Sequence, residues 1–262
     1  EAVDTARDAG FDCVEVHAGH GYLISQFLSP YTNRRRDGFG GSLQNRMRFM
    51  NMCLEEVMKH AGSDMGVLVK TNMRDGFKGG LEIDDCLTVA HEIERAGVHA
   101  MVLSGGFVSK APMYVMRGKM PIYSMTHYME QWWLKYGVRM VGRFMIPSVP
   151  FKELYFLEDA KRFRAELKLP LVYVGGVVDR KGADHVLDDE NFDFIQMGRA
   201  LLNEPDFVNR MKEEEGNHRC TCEHVNYCIA RMYSREMACH QHCNDLTPRI
   251  RKEIEKIKAS DA

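Results

Sequence analysis

With 262 residues, 45% of them hydrophobic, the chain has material for one large barrel or two small domains around a real core. Its formal net charge of -2, with no basic block, argues against a nucleic-acid backbone or an anionic membrane as partner. No apolar run approaches the roughly 18 residues needed to span a bilayer, so a soluble protein is expected.

The chain opens at Glu1 on EAVDTARDAG, which reads as the last turns of a helix ending at Gly10, with no capping signal before it. A start in mid-fold is therefore expected, and the lack of a leader is uninformative. Strand-like segments follow at Phe11 to His17, Gly66 to Asn72, Val98 to Ser104, Leu171 to Gly175 and Asp193 to Gly198. Each is short, rich in β-branched residues and closed by Gly or polar residues. Helical patterns lie between them. Ser42 can cap a helix with Leu43, Met47, Met50, Leu54 and Val57 on one face, Ile83 to Ala96 repeats the pattern, and further helices are expected over 151–167, 180–187 and 206–213. The alternation implies an α/β fold with a parallel sheet and helical crossovers, closed or open.

The connection after Ser104 is unusually long and too apolar for a disordered linker, carrying Met113, Met116, Met120, Met125, Trp132, Trp133 and Met140. It reads either as a lid or as an excursion packed on the barrel or on a second subunit, which leaves a homo-oligomer open. Cys13, Cys53 and Cys86 lie in apolar segments and read as small buried hydrophobes, whereas Cys220, Cys222, Cys228, Cys239 and Cys243 crowd together near the C-terminus. A chain this large needs no disulfide scaffold, so a reducing, cytoplasmic compartment is expected.

Polar groups collect at the strand ends, where a parallel barrel carries its chemistry. Strand alternation puts Glu15 and His17 on one face, and His17, His20 and Tyr22 bring two imidazoles and a phenol within a few residues, able to bind a carbonyl oxygen and supply a proton. The bland alternative for Tyr22 is a loop aromatic packed near Phe27. Lys70, in phase with Leu68, faces inward, where it can stabilise an anionic cofactor, pair with Glu15, or act as a Schiff-base lysine of a non-redox lyase or aldolase. The turns at Gly175-Gly176 and Gly198-Arg199 let backbone amides approach a phosphate.

The run from Val14 through His17, His20, Tyr22, Gln26, Pro30, Asn33, Arg34 and Asp37 to Arg46 resembles the signature of the old yellow enzyme and 2,4-dienoyl-CoA reductase family of NADH:flavin oxidoreductases. The likeness continues through Lys70, Ser104-Gly105-Gly106, Val174-Gly175-Gly176 and Met197 to Leu201. That resemblance implies a TIM barrel holding FMN, of which this chain would carry roughly strands 4 to 8, with an insertion at about 105–150. Residues 1–219 would form the FMN-binding portion and residues 220–262 a Cys/His-rich tail. It further implies catalytic roles for His17 and His20 on the substrate oxygen and for Tyr22 as proton donor. Cofactor contacts are implied for Lys70, Ser104, Gly105, Gly175, Gly176, Gly198 and Arg199, and the implied activity is NAD(P)H-driven reduction of an activated C=C bond in a small-molecule substrate.

The tail is similar to, but departs from, the Cys-x2-Cys-x3-Cys pattern that ligates a [4Fe-4S] cluster in the dienoyl-CoA reductase branch. Cys222, Cys228 and Cys239 are candidate ligands, but Val225 stands where the second is expected. A vestigial or purely structural tail, Cys220, Cys243 or the nearby histidines as substitute ligands, zinc in place of iron, and a metal-binding interaction module all remain alternatives.

Overall fold

The computed structural model describes residues 1–213, 218–232 and 235–261. Along the chain run α1 (Ala2–Asp8), β1 (Cys13–His17), α2 (Leu23–Leu28), α3 (Leu43–Ala61), β2 (Gly66–Asn72), α4 (Ile83–Arg95), β3 (Ala100–Ser104), α5 (Pro112–Met116), α6 (Ile122–His127), α7 (Trp132–Met145), α8 (Leu157–Glu166), β4 (Leu171–Val174), α9 (Arg180–Asp184), β5 (Phe194–Gln196), α10 (Arg199–Asn203), α11 (Phe207–Glu213), α12 (Tyr227–Arg231) and α13 (Pro248–Asp261). The expected strands are all present. The helix expected over 151–167 begins only at Leu157, because Leu154 takes a left-handed φ of 51° that no regular helix admits. No helix among the described residues is long and apolar enough to cross a membrane.

The five strands form one sheet in the order β1-β2-β3-β4-β5, every neighbouring pair parallel. Register fixes which side chains share a face. His17 lies beside Lys70, Lys70 beside Val102, Val102 beside Val172, and Asn72 beside Ser104. The alternate residues Val67, Val69, Met101, Leu103, Leu171 and Tyr173 are fully buried on the other face, as expected where crossover helices cover a parallel sheet. Ala100, Val102 and Val172, with Leu68 and Val174, make a smaller apolar cluster on the face that carries His17 and Lys70.

Local signals explain the helices that frame the site. The Ser42 hydroxyl accepts the Asn45 N–H at 3.3 Å and starts α3, which ends at Gly62 with φ 61°. Cys13 is exposed rather than buried, which corrects the sequence reading: it opens β1, a strand with a neighbour on one side only. Cys53 is intermediate and Cys86 is buried as expected.

By packing, the chain divides into two compact units. The first comprises Glu1–Ala111, Leu154–Gly175 and Asp184–Gln196, and so contains the whole sheet; the second comprises Pro112–Glu153, Gly176–Ala183 and Met197–Ala262. In the second unit the methionine-rich excursion packs with the cysteine tail: Met113, Met120, Ile122 and Met125 enclose Ala230 of α12. Glu253 of α13 accepts the Tyr123 and Ser124 N–H groups, both at 2.8 Å, and so satisfies the start of α6. The outer stripe of α7 has no such cover within the described chain. Trp132, Trp133, Tyr136, Met140 and Phe144 are all exposed there.

Candidate active site

The first unit gathers a polar cluster at the C-terminal ends of β1, β2 and β3. His17 ends β1, and its ring lies 4.9 Å from those of both His20 and Tyr22. The Gly19 N–H donates to His17 Nδ1 at 3.3 Å, so the hydrogen of the neutral ring sits on Nε2. His20 Nε2 lies 2.7 Å from the Ser104 hydroxyl, a contact between strand ends 84 positions apart. When Ser104 donates, the His20 hydrogen moves to Nδ1. Tyr22 is 53% exposed, and its ring stands at the open side of the cluster.

Electrostatics keep both imidazoles neutral. Burial, reinforced by the Lys70 ammonium, lowers His17 below the ordinary imidazole range. Burial first, then His17 and Lys70, brings His20 down to about 4. Lys70 itself is engaged by Glu15, its Nζ donating to the carboxylate at 2.6 Å.

The loop carrying His20 is tightly held. His20 has φ 59°, its N–H donates to Asn72 Oδ1 at 3.0 Å, and its C=O accepts the Val108 N–H at 2.9 Å. Gly21 has φ 81°, and a Cβ there would lie 2.5 Å from the Phe107 ring, so only glycine fits. Asn72 closes a strand that the sequence predicts, but Phe107, Ser29 and Asp75 carry no functional signal there. The last sits in Arg74-Asp75-Gly76, which reads as an ordinary turn, and no local pattern marks its partners.

Among the other expected cofactor residues, Ser104 closes β3 with Gly105 next after it, and Gly175 follows β4 in the first unit. Gly176, Gly198 and Arg199 belong to the second. Gly175 and Gly176 have φ of 129° and 79°, and a Cβ on Gly175 would lie 2.9 Å from Phe156. Gly198 caps α10 with nothing within 4 Å of where its Cβ would be. Arg199 donates to Asn226 Oδ1 at 2.9 Å. Within the first unit, Lys70 beside the histidines and the turn at Gly175 are groups that suit an anionic cofactor such as FMN.

The tail does not fit a four-thiolate cluster. Cys222, Cys228 and Cys239 line one cavity with His224 and Val225, but its volume of about 20 Å³ is room for about one water molecule. Val225 is buried against Tyr227, Ile250, Ile254 and Ile257, and Cys239 Sγ donates to Asn203 Oδ1 at 3.0 Å. Among the described residues no group of three or more His, Cys, Asp or Glu side chains is arranged to hold a metal ion. Burial pushes the Cys239 thiol up to about 11 and lowers His224 to about 3, with Arg199 and Arg219 adding to the second shift.

Comparison with known proteins bears on the same residues. The model of the NADH:flavin oxidoreductase / NADH oxidase family matches residues 1–149, which include the histidine and tyrosine cluster. The chain is 39% identical over 230 residues to a 4,4'-dithiodibutanoate disulfide reductase of Rhodococcus erythropolis, covering 87% of this chain and 56% of that protein. It is 28% identical over 230 residues to an NADH oxidase of Thermoanaerobacter brockii, covering 87% of this chain and 31% of that one. The chain therefore spans about half or less of these relatives. Among solved structures, a 2-naphthoyl-CoA reductase complex superposes with a TM-score of 0.70 at 21% identity, over 97% of this chain and 34% of the other, a likeness of fold.

Proposed function

Since the chain belongs to the NADH:flavin oxidoreductase / NADH oxidase family, we propose that it is part of an FMN enzyme that reduces the activated C=C bond of an enone or enoyl substrate with electrons from NAD(P)H. The observation that carries this reading is the packing of His17 against both His20 and Tyr22, each 4.9 Å away, beside a lysine on the next strand. On the same reading the five strands are strands 4 to 8 of a (β/α)8 barrel, residues 1–219 are its FMN-binding portion, and residues 220–262 are an accessory tail.

FMN, when bound, supplies the hydride equivalent for the substrate's β-carbon. The chain's own residues then have four tasks. His17, through Nε2–H, and His20 donate to the substrate's carbonyl oxygen and stabilise the negative charge that grows on it. Neutral imidazoles are suited to this, because they donate without fixing a full charge near Lys70. Tyr22 transfers its phenolic proton to the α-carbon, and its exposure lets solvent restore it. Lys70, Ser104 and Gly105 would face the flavin, the lysine supplying a fixed positive charge beside His17. Gly175, Gly176, Gly198 and Arg199 are the residues that would take its phosphate.

The lyase alternative loses support from the Glu15 contact, since a nucleophilic lysine must present a free amine and Lys70 is ion-paired at 2.6 Å. A second reading has a specific comparison behind it, the 39% identity to a disulfide reductase. There the same two electrons cleave an S–S bond, and Tyr22 protonates a departing thiolate. Assay of the full-length enzyme with NADPH decides between them. One NADPH consumed per cyclohex-2-enone reduced supports the first reading; turnover of 4,4'-dithiodibutanoate without any of the enone overturns it.

A further inference from the structure

Asp75 is fully buried and lies off the strand ends that carry the proposed catalytic groups, and among the described residues no cation is ion-paired with it. Its two oxygens are instead divided between neutral donors. Oδ2 accepts the Ser29 hydroxyl at 2.6 Å and the Leu81 N–H at 2.8 Å, while Oδ1 accepts Asn72 Nδ2 at 2.9 Å. A carboxylate oxygen cannot donate, so this last contact admits only one orientation of the Asn72 amide. With Nδ2 turned toward Asp75 and the Gly106 carbonyl, at 2.8 Å, the amide oxygen is left facing the His20 N–H. Gly19 allows the approach, because a Cβ there would stand 2.7 Å from Asn72 Oδ1.

We propose that Asp75 is a positioning residue for the active site: it fixes the sense of the Asn72 amide, which clamps the left-handed backbone of His20 and so directs its ring to Ser104. The catalytic meaning of this relay rests on the role proposed above for His20; the geometry of the relay does not. Asp75 and Asn72 are buried and His20 is half-buried, so an inverted amide would bring N–H against N–H with little water to relieve it. In Asp75→Asn the new amide turns its oxygen to Ser29 and Leu81 and its NH2 to Asn72. Asn72 must then flip and present its own NH2 to the His20 N–H. The paired change Asn72→Asp with Asp75→Asn restores an acceptor facing His20 and a donor facing that acceptor. Its cost lies at Gly106, whose carbonyl then faces a carboxylate oxygen in place of an N–H donor.

The test uses the full-length enzyme with histidine labelled in its ring nitrogens, the His20 signal being assigned by its loss in His20→Asn. In Asp75→Asn, the His20 titration is expected to move from about 4 toward the ordinary imidazole range, as the loop loosens and hydrates. KM for cyclohex-2-enone is expected to rise at least tenfold with a smaller change in kcat, and the paired variant to recover most of both. A lowered melting temperature with the His20 titration and KM unchanged would overturn the proposal and make Asp75 structural only. So would a paired variant no better than Asp75→Asn. A shifted titration with unchanged enone kinetics would instead uphold the relay and remove His20 from the proposed reaction.

Discussion

The amide of Gln196, on the last strand, donates to the Glu15 carboxylate, on the first, at 3.4 Å. Five strands spaced about 4.8 Å apart in a flat sheet would put these edges roughly 19 Å from each other. The contact therefore requires the sheet to roll, so that inward side chains of β1 and β5 meet across its hollow face. Glu15 thus serves two partners, Gln196 and Lys70, and holds the lysine at the strand ends.

Removing that lysine is the first prediction. Lys70→Met leaves Glu15 without its cation and deletes the positive charge assigned to the flavin. A charge-assisted hydrogen bond contributes about 1.5–3 kcal/mol, so FMN affinity is expected to fall roughly ten- to a hundredfold. Fluorescence titration of the apoenzyme with FMN measures it, and unchanged affinity would take Lys70 out of the cofactor site.

Tyr22→Phe separates the two half-reactions of the proposed cycle. The substitution removes one hydroxyl from an exposed ring and leaves its packing on His17, so reduction of the enzyme by nicotinamide should proceed at nearly the normal rate. Reoxidation by an enone should slow by about 10²- to 10⁴-fold, the range for loss of a positioned general acid. Stopped-flow absorbance follows both steps, and normal reoxidation would place the proton donor elsewhere.

The elements and the cluster around His17 were legible in the sequence because they depend on local periodicity and short spacing. Strand alternation alone puts Glu15 and His17 on one face, and the structure agrees. What was not legible depends on contacts remote in the chain. Periodicity could not separate a rolled sheet from an open one, and the Gln196 to Glu15 contact does. Ser104 was read as a cofactor residue, yet it also binds His20, 84 positions away. Asp75 has the local pattern of any turn aspartate, and only Ser29 and Asn72 give it a task. The association of the excursion with the cysteine tail likewise had no sequence signal, since Met113 and Ala230, which pack together, lie far apart in the chain.

Acid should destabilise the fold partly through His20. Its folded-state value of about 4 lies below the ordinary 6.5, so the unfolded chain binds the proton more readily between those values. The stabilisation from the buried neutral ring is thus complete above about pH 6.5 and lost as pH falls through about 4. His17 shifts in the same direction. Urea unfolding at pH 7 and pH 5 should show a smaller stability loss in His20→Asn than in the parent. An equal loss would mean that the ring is not buried in its neutral form.

Gly21→Ala tests the tightness of the loop. A left-handed φ costs a residue with a Cβ about 1–2 kcal/mol, and the added methyl would meet Phe107 at 2.5 Å. A loss of about 2–4 kcal/mol is expected from these terms together. Pairing it with Phe107→Leu should return the steric part and leave the backbone part. Thermal melts of the two variants report this, and no recovery in the pair would show that Phe107 is not the obstacle.

The chain has 2 tryptophans, Trp132 and Trp133, and they stand side by side on α7 with 71% and 63% of their surface exposed. Intrinsic tryptophan emission is therefore a signal from one helix of the second unit, already water-exposed before any unfolding. It changes little when the sheet melts, so a denaturation curve followed at tryptophan wavelengths would understate the loss of the histidine cluster. Tyr173, wholly buried on β4, offers an optical reporter in the unit where the chemistry is proposed to occur.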